Sequence, residues 1–560
     1  MAFTRRSFIR TIAAGVAVGS IQPFGAPHAK AMSDDGQPNP LKLPRVFAGG
    51  TIMVMSGSVN VYENHSTNAR VFGSYPGVAI VANRGDEQTI KLHNMTDSSL
   101  AVHWHGLDVP SAMDGHPMDA FGSGTTKEYS FRILNRAGTY FYHSHSHMRT
   151  AVDVYKGLAG AFIVHDQEEL ALGLPSGERD VPIVIHDARF DAAKQFVYAP
   201  TMTDKMEGWL GNVMLANGTP NAYLDVTPSF YRLRLVNGSN ARIYDLRLSD
   251  NSELFVIAGD GGLLTKPIKV ESVKLAPGER AEVLVDFSRY ESGTSVVLKT
   301  GKFNVPVGHM GAPTYPQGVE YSIIEFRVAG TKDVSFTVPA ELSVIPPLPD
   351  LTGVPVRMFE TAMSMMGGMK HTINGKTFEM MRTDFEVNSG EMEIWELRNM
   401  EPDMLHPIHV HGPQFRVLSR SSGPLAPHET GYKDTILLNP LETIRILVTP
   451  SRYSGMSLIH CHNLEHEDDG MMLNFMVNAT TGVHEEALGE IEVYPQPSSD
   501  AIMVRRTIDI DERLEIIDVN GRIVHSTIIS GSESQIQISH LVRGSYNVRV
   551  GRFSTSIIKQ

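Results

Sequence analysis

Short stretches in which apolar and polar residues alternate recur along this chain, at residues 88–93, 100–105, 127–133, 139–145 and 160–164, with Gly, Pro, Asn and Asp in the gaps. Successive side chains of a strand point to opposite faces, so a period of two marks half-buried strands, whereas an amphipathic helix repeats every three to four residues. Many short strands with turn residues between them predict a β-sandwich. A second group follows at 231–237, 253–258, 270–275 and 281–287, with turns at Asp260-Gly261-Gly262 and Pro277-Gly278-Glu279. Pro339, Pro346, Pro347, Pro349 and Pro355 then give the segment 331–355 the composition of a linker. The pattern predicts an all-β protein with sandwiches at about 45–168, 180–328 and 356–482, and a smaller β-module at about 493–560. Residues 32–44, polar and Pro-rich, read as mobile.

Cys461 is the only cysteine, and His460 and His462 flank it. On a strand the cysteine faces one way and both histidines the other, so one tripeptide can serve two metal sites. A thiolate, imidazoles and a weak thioether favour copper in an electron-transfer role, and His466 and Met471 follow at loop distance to complete such a set. Three more clusters stand elsewhere: His103-Trp104-His105-Gly106, His143-Ser144-His145, and His406-Pro407-Ile408-His409-Val410-His411-Gly412. Within each pair spaced by two, both imidazoles share a face. His406, three residues before His409, points the other way if the strand runs through it, which assigns it to the site of Cys461, His466 and Met471. The first and third regions repeat one order, His-x-His-Gly and then His-x-His, with separations of 40 residues from His103 to His143 and 51 from His409 to His460. This suggests a duplicated unit, each copy donating two pairs to a shared cluster at the junction.

Together these clusters resemble the multicopper oxidases, in particular the bacterial three-domain branch of copper-efflux oxidases, spore-coat laccases and bilirubin oxidases, over residues 45–482. The resemblance implies three cupredoxin-like Greek-key sandwiches. Tyr231-Arg232-Leu233-Arg234-Leu235-Val236-Asn237 and the run Ala276 to Glu282 look like the family's copper-free middle domain, whose role would be to space and orient the outer two. It also implies one type 1 copper on His406, Cys461, His466 and Met471, one type 2 copper on His103 and His409, and a type 3 pair on His105, His143, His145, His411, His460 and His462. The implied reaction is one-electron oxidation of cuprous ion or a phenolic reductant coupled to reduction of dioxygen to water. Cys461 would bridge the two centres, and Asp114 and Glu467 resemble the family's proton-relay acids. The alternative is a copper carrier or cupredoxin-like assembly factor without turnover. Such proteins typically lose cluster ligands, and none is missing here.

Composition adds bounds. At 560 residues the chain is too long for one core. A net charge of -13 argues against nucleic acid as a partner, and a single cysteine excludes an intrachain disulfide. Thr4-Arg5-Arg6-Ser7-Phe8-Ile9-Arg10, a mildly apolar run to Ile21, and Ala29-Lys30-Ala31 read as a twin-arginine export signal cleaved after Ala31, handled by the twin-arginine translocase. That run is too short to span a membrane, and no later stretch is long and apolar enough to do so. Residues 493–560 resemble the C-terminal sorting domain of the type IX secretion system, so the expected destination is the periplasm and, through that machinery, the cell surface or medium. Substrate is the faintest signal. Asp403 and Met404 precede His406, and Met363, Met365, Met366 and Met369 crowd one Gly-broken run. Soft thioethers beside a carboxylate suit cuprous ion, whereas methionines that merely fill apolar gaps would leave phenols as the reductant.

Overall fold

The computed structural model describes residues 37–306, 313–365, 368–479, 492–494, 498–505, 512–518, 522–531, 533–550 and 553–560. The segment expected to be an export signal and Met366 lie outside them. The chain forms two compact units that divide between residues 479 and 480.

The first unit holds three sandwiches. One packs a four-stranded sheet, which includes Thr51–Val59 and Glu87–Met95, on another that includes Gly138–Ser144 and the two-residue strand Val102–His103. Alternation along Glu87–Met95 puts Ile90 and Leu92 inside, against Trp104, Tyr129 and Phe162. The middle sandwich pairs six- and seven-stranded sheets, and the third pairs a six-stranded sheet with a five-stranded one that holds His406–Val410 and Gly455–Cys461 side by side. Among the described residues no helix is long and apolar enough to cross a membrane.

Two features depart from the sequence expectation. Asn39–Pro40 forms a short parallel strand against Ala222–Val226 of the middle sandwich, and Leu41 is buried in that sandwich's core, so residues 39–41 are docked and not mobile. The physical reason is that the segment's backbone finds an open sheet edge, with Leu41 N donating to Tyr223 O at 2.8 Å. Second, the alternating strands Phe230–Asn237 and Arg280–Asp286 do not show their polar face to water. Arg232, Arg234, Arg280 and Glu282 are all buried, because that face is covered by the neighbouring sandwiches. Buried charges persist only when paired. Glu282 accepts from Arg232 and Arg234 at 2.8 Å, and from Thr139 of the first sandwich at 2.7 Å.

The second unit is a small sandwich of three- and four-stranded sheets, closed around Ile502, Val504, Leu514, Ile516, Val548 and Val550.

Candidate metal centres

Strand register assembles the histidines. His103 lies opposite His143 on adjacent antiparallel strands, and His409 lies opposite His460. All eight cluster histidines are buried, and their rings meet between the first and third sandwiches: His103 stacks on His411 with centroids 3.7 Å apart, and His105 on His409 at 3.8 Å.

Their nitrogen atoms face one another in a way that requires a cation. His103 Nδ1 donates to Asp114 O and His409 Nδ1 to Asp434 O, each at 2.8 Å. A carbonyl oxygen only accepts, so in each neutral ring the single proton sits on Nδ1 and Nε2 is a lone pair. Those two Nε2 atoms face each other at 3.1 Å. His411 Nδ1 donates to Asp114 Oδ2 at 3.0 Å and His460 Nδ1 to Cys461 O at 3.1 Å, and their Nε2 atoms stand 3.2 Å apart. Opposed lone pairs repel unless a positive ion lies between them. His105 Nδ1, His143 Nε2 and both His462 nitrogens are buried without a hydrogen-bond partner. Burial first, and then the neighbouring imidazoles, push His105, His145, His409, His411 and His462 well below the ordinary histidine range, which disfavours a proton in place of a metal.

On the other face of the strand, Cys461 Sγ lies 3.6 Å from the Nδ1 atoms of His406 and His466. His406 Nε2 donates to Glu401 Oε1 at 3.0 Å and His466 Nε2 to Met206 O at 2.9 Å, which leaves both Nδ1 lone pairs aimed at the sulfur. Burial pushes the Cys461 thiol well up, so a thiolate there needs a cation beside it. A short helix, Leu464–Asp468, folds the chain back after Cys461. Cys461 N then donates to Met471 O at 3.1 Å, and Met471 is fully buried beside the cysteine in the core of the third sandwich. Thiolate, two imidazoles and a nearby thioether fit copper, and the eight converging imidazoles fit a polynuclear copper site.

The two acids sit at the cluster. Asp114 spans His103 and His411, and Glu467 lies 3.3 Å from His460 and 3.6 Å from His145 with its Oε2 otherwise unpartnered. Burial raises both carboxyls, Glu467 well above its ordinary value.

The methionine run lies partly on two paired strands. Val356–Ser364 pairs with Lys370–Ile373, placing Met363 opposite His371, while Met365 is 70% exposed and Met369 half-buried. Met404 is buried and Asp403 half-buried. Sequence reasoning missed His371. Its Nδ1 meets Glu401 Oε1 and its Nε2 Met206 O, each at 3.0 Å, and its ring lies 4.1 Å from His466. A lone histidine and a glutamate with no ligand spacing carry no sequence signal. His147, in step with His143 and His145, packs instead on Phe378 at 5.4 Å.

Middle-domain elements also reach both centres, beyond the spacing role its sequence suggests. Met206 belongs to the helix Met202–Glu207, and a Cβ on Gly278 (φ +81°) would stand 2.9 Å from His105 Cε1 and 3.0 Å from His462 Cδ2.

Comparison with known proteins agrees with this arrangement. Multicopper oxidase family profiles match residues 54–169, 190–305 and 350–481, and a profile described as a secretion system C-terminal sorting domain matches 492–560. The multicopper oxidase mco of Staphylococcus haemolyticus is 31% identical over 427 residues, covering 75% of this chain and 87% of that one. The crystal structure of the multicopper oxidase McoA from Aquifex aeolicus superposes with a TM-score of 0.72 at 36% identity, over 79% of this chain and all of that one. The cell division protein FtsP of Proteus mirabilis is 29% identical over 84% of this chain and 98% of its own length. With its cupredoxin sandwiches and its family profiles in agreement, the chain belongs to the multicopper oxidases and ends in a secretion-system sorting domain.

Proposed function

We propose that this chain oxidises cuprous ion, with phenols as secondary reductants, one electron at a time at a type 1 copper held by His406, Cys461, His466 and Met471, and reduces dioxygen to water at a trinuclear cluster. His103 and His409 would hold the type 2 copper, and His105, His143, His145, His411, His460 and His462 the type 3 pair. Copper supplies the one-electron couple and the site of dioxygen binding. The observation that carries the reading is the pair of opposed Nε2 lone pairs on His103 and His409, 3.1 Å apart with both Nδ1 protons already committed to carbonyls. Cys461 joins the two centres through its own backbone neighbours.

The remaining work falls to this chain's own groups. Asp114 orients His411 by accepting its Nδ1 proton, and its backbone carbonyl does the same for His103. Glu467, whose carboxyl burial raises, lies beside His145 and His460, where a carboxyl can hand on the protons that dioxygen reduction consumes. The side chains that would hold the metals are themselves buried from bulk water.

The cuprous preference is supported by the strand pair that sets Met363 opposite His371, next to His466, and by the exposure of Met365. The twin-arginine signal and the sorting domain support export to the periplasm and onward by the type IX machinery. Copper analysis of the purified chain, with dioxygen consumption on cuprous ion and on a phenolic dye, tests the reading. Replacing Met363, Met365, Met366 and Met369 with serine should lower cuprous oxidation several-fold and spare phenol oxidation. Full copper loading without dioxygen consumption on either reductant would favour a carrier or assembly factor.

A further inference from the structure

Arg280 opens the strand Arg280–Asp286 of the middle sandwich and is fully buried. All five of its guanidinium N–H groups are used. Nε donates to Thr139 O at 3.1 Å, Nη1 to Gly278 O at 2.9 Å and Asp434 Oδ1 at 2.6 Å, and Nη2 to Asp260 O at 2.9 Å and Asp434 Oδ2 at 2.6 Å. These acceptors come from all three sandwiches, which an ion pair serving one core alone would not need.

The next contact of the carboxylate points to the cluster. Asp434 Oδ1 also accepts from His105 Nε2 at 3.0 Å, which puts the ring's proton on Nε2 and leaves Nδ1, buried and unpartnered, as the lone pair. His105 thus presents the opposite nitrogen from His103, His409, His411 and His460, and Asp434 sets that choice together with Thr435, whose hydroxyl lies 3.0 Å from the same nitrogen and donates to Asp434 Oδ1. The surrounding backbone is shaped for the same contact. Gly106 has φ +87°, and a Cβ there would collide with Asp434 Oδ2 and with Arg280 Nη2, so the glycine of the His-x-His-Gly motif makes room for this pair. A guanidinium fork holds both carboxylate oxygens in one plane, which a lysine ammonium does not do.

We propose that Arg280 is a positioning residue for the trinuclear cluster: by fixing Asp434 it holds His105 in the tautomer and orientation whose Nδ1 faces the metals. The middle sandwich, which contributes no ligand, is then part of the metal centre. The inference rests on the copper assignment proposed above.

The test compares full-length, copper-loaded wild type with Arg280→Gln and Arg280→Lys. The readouts are copper retained under graded chelator, the blue band of type 1 copper, the near-ultraviolet band of the type 3 pair, and Tm. In Arg280→Gln, cluster copper should be retained roughly 10- to 100-fold less tightly, the usual effect of removing a group that orients a ligand. The near-ultraviolet band should fall while the blue band holds, with Tm lowered only as far as the loss of Asp434's buried partner requires. Arg280→Lys, which still neutralises Asp434, should lie between, and it decides the matter if the glutamine variant does not fold. Unchanged cluster copper in both variants would overturn the proposal. So would a parallel loss of blue band and cluster copper in step with Tm, the mark of a merely structural ion pair. A wild-type chain that keeps only type 1 copper would remove the cluster assignment itself, and this inference with it, before any variant is measured.

Discussion

Glu401 is buried, and its Oε1 accepts from both His406 Nε2 and His371 Nδ1 at 3.0 Å. Burial raises its carboxyl, but the two imidazole N–H groups outweigh burial and hold it well below the usual carboxylate range, so it is ionised at neutral pH. Glu401→Gln keeps the shape and an acceptor oxygen and removes the charge. A 3.0 Å hydrogen bond separates that charge from His406. Adding about 2 Å across the ring and about 2 Å for a metal–nitrogen bond, it stands about 7 Å from a metal on Nδ1. At an effective dielectric of about 20 the interaction is about 2 kcal/mol, equivalent to about 100 mV on a one-electron couple. A nearby negative charge favours the more positive, oxidised metal, so the substitution should raise the type 1 potential by that order. Spectroelectrochemical titration of the blue band in wild type and variant measures it, with Tm as a check that the core is intact. A potential lowered, or unmoved within about 20 mV, would refute the reasoning.

Cys461→Ser should abolish the blue charge-transfer absorption and oxidase turnover while leaving Tm of the metal-free protein within a few degrees, as optical spectroscopy and calorimetry would show. His428 is held neutral in the fold, chiefly by burial and then by Lys433, with its pKa lowered to about 4 from 6.5. A histidine depressed in this way contributes stability above pH 6.5 that is lost as pH falls towards 4, about 3 kcal/mol in all. Denaturant titrations across that window should therefore show a shallower acid loss in His428→Gln than in wild type. Deleting residues 493–560, which belong to the second compact unit, should leave oxidase activity intact and retain the protein in the periplasm, as cell fractionation would show.

The class of the fold and the identity of the candidate ligands were legible in the sequence because both depend on local backbone geometry. A period of two is the strand's own geometry, so residues 88–93 or 139–145 announce strands before any partner is known. The same geometry separates His406 from His409 across one strand and lets Cys461 and its flanking histidines face two sites. What the alternation could not say is what covers each face. A period of two alone would leave the polar rows of Phe230–Asn237 and Arg280–Asp286 in water, yet they are buried charge networks between sandwiches. The groups that orient the ligands were equally silent. Arg280 and Asp434 are 154 residues apart, His466 and Met206 260 apart, and His371 and Glu401 30 apart. Hydrogen bonds at such separations carry no periodicity and need no motif, because one buried donor and one acceptor suffice once packing brings them together. Only the docking of the three sandwiches decides which carboxylate meets which imidazole, and hence which nitrogen of His105, His406 or His466 is left to bind a metal.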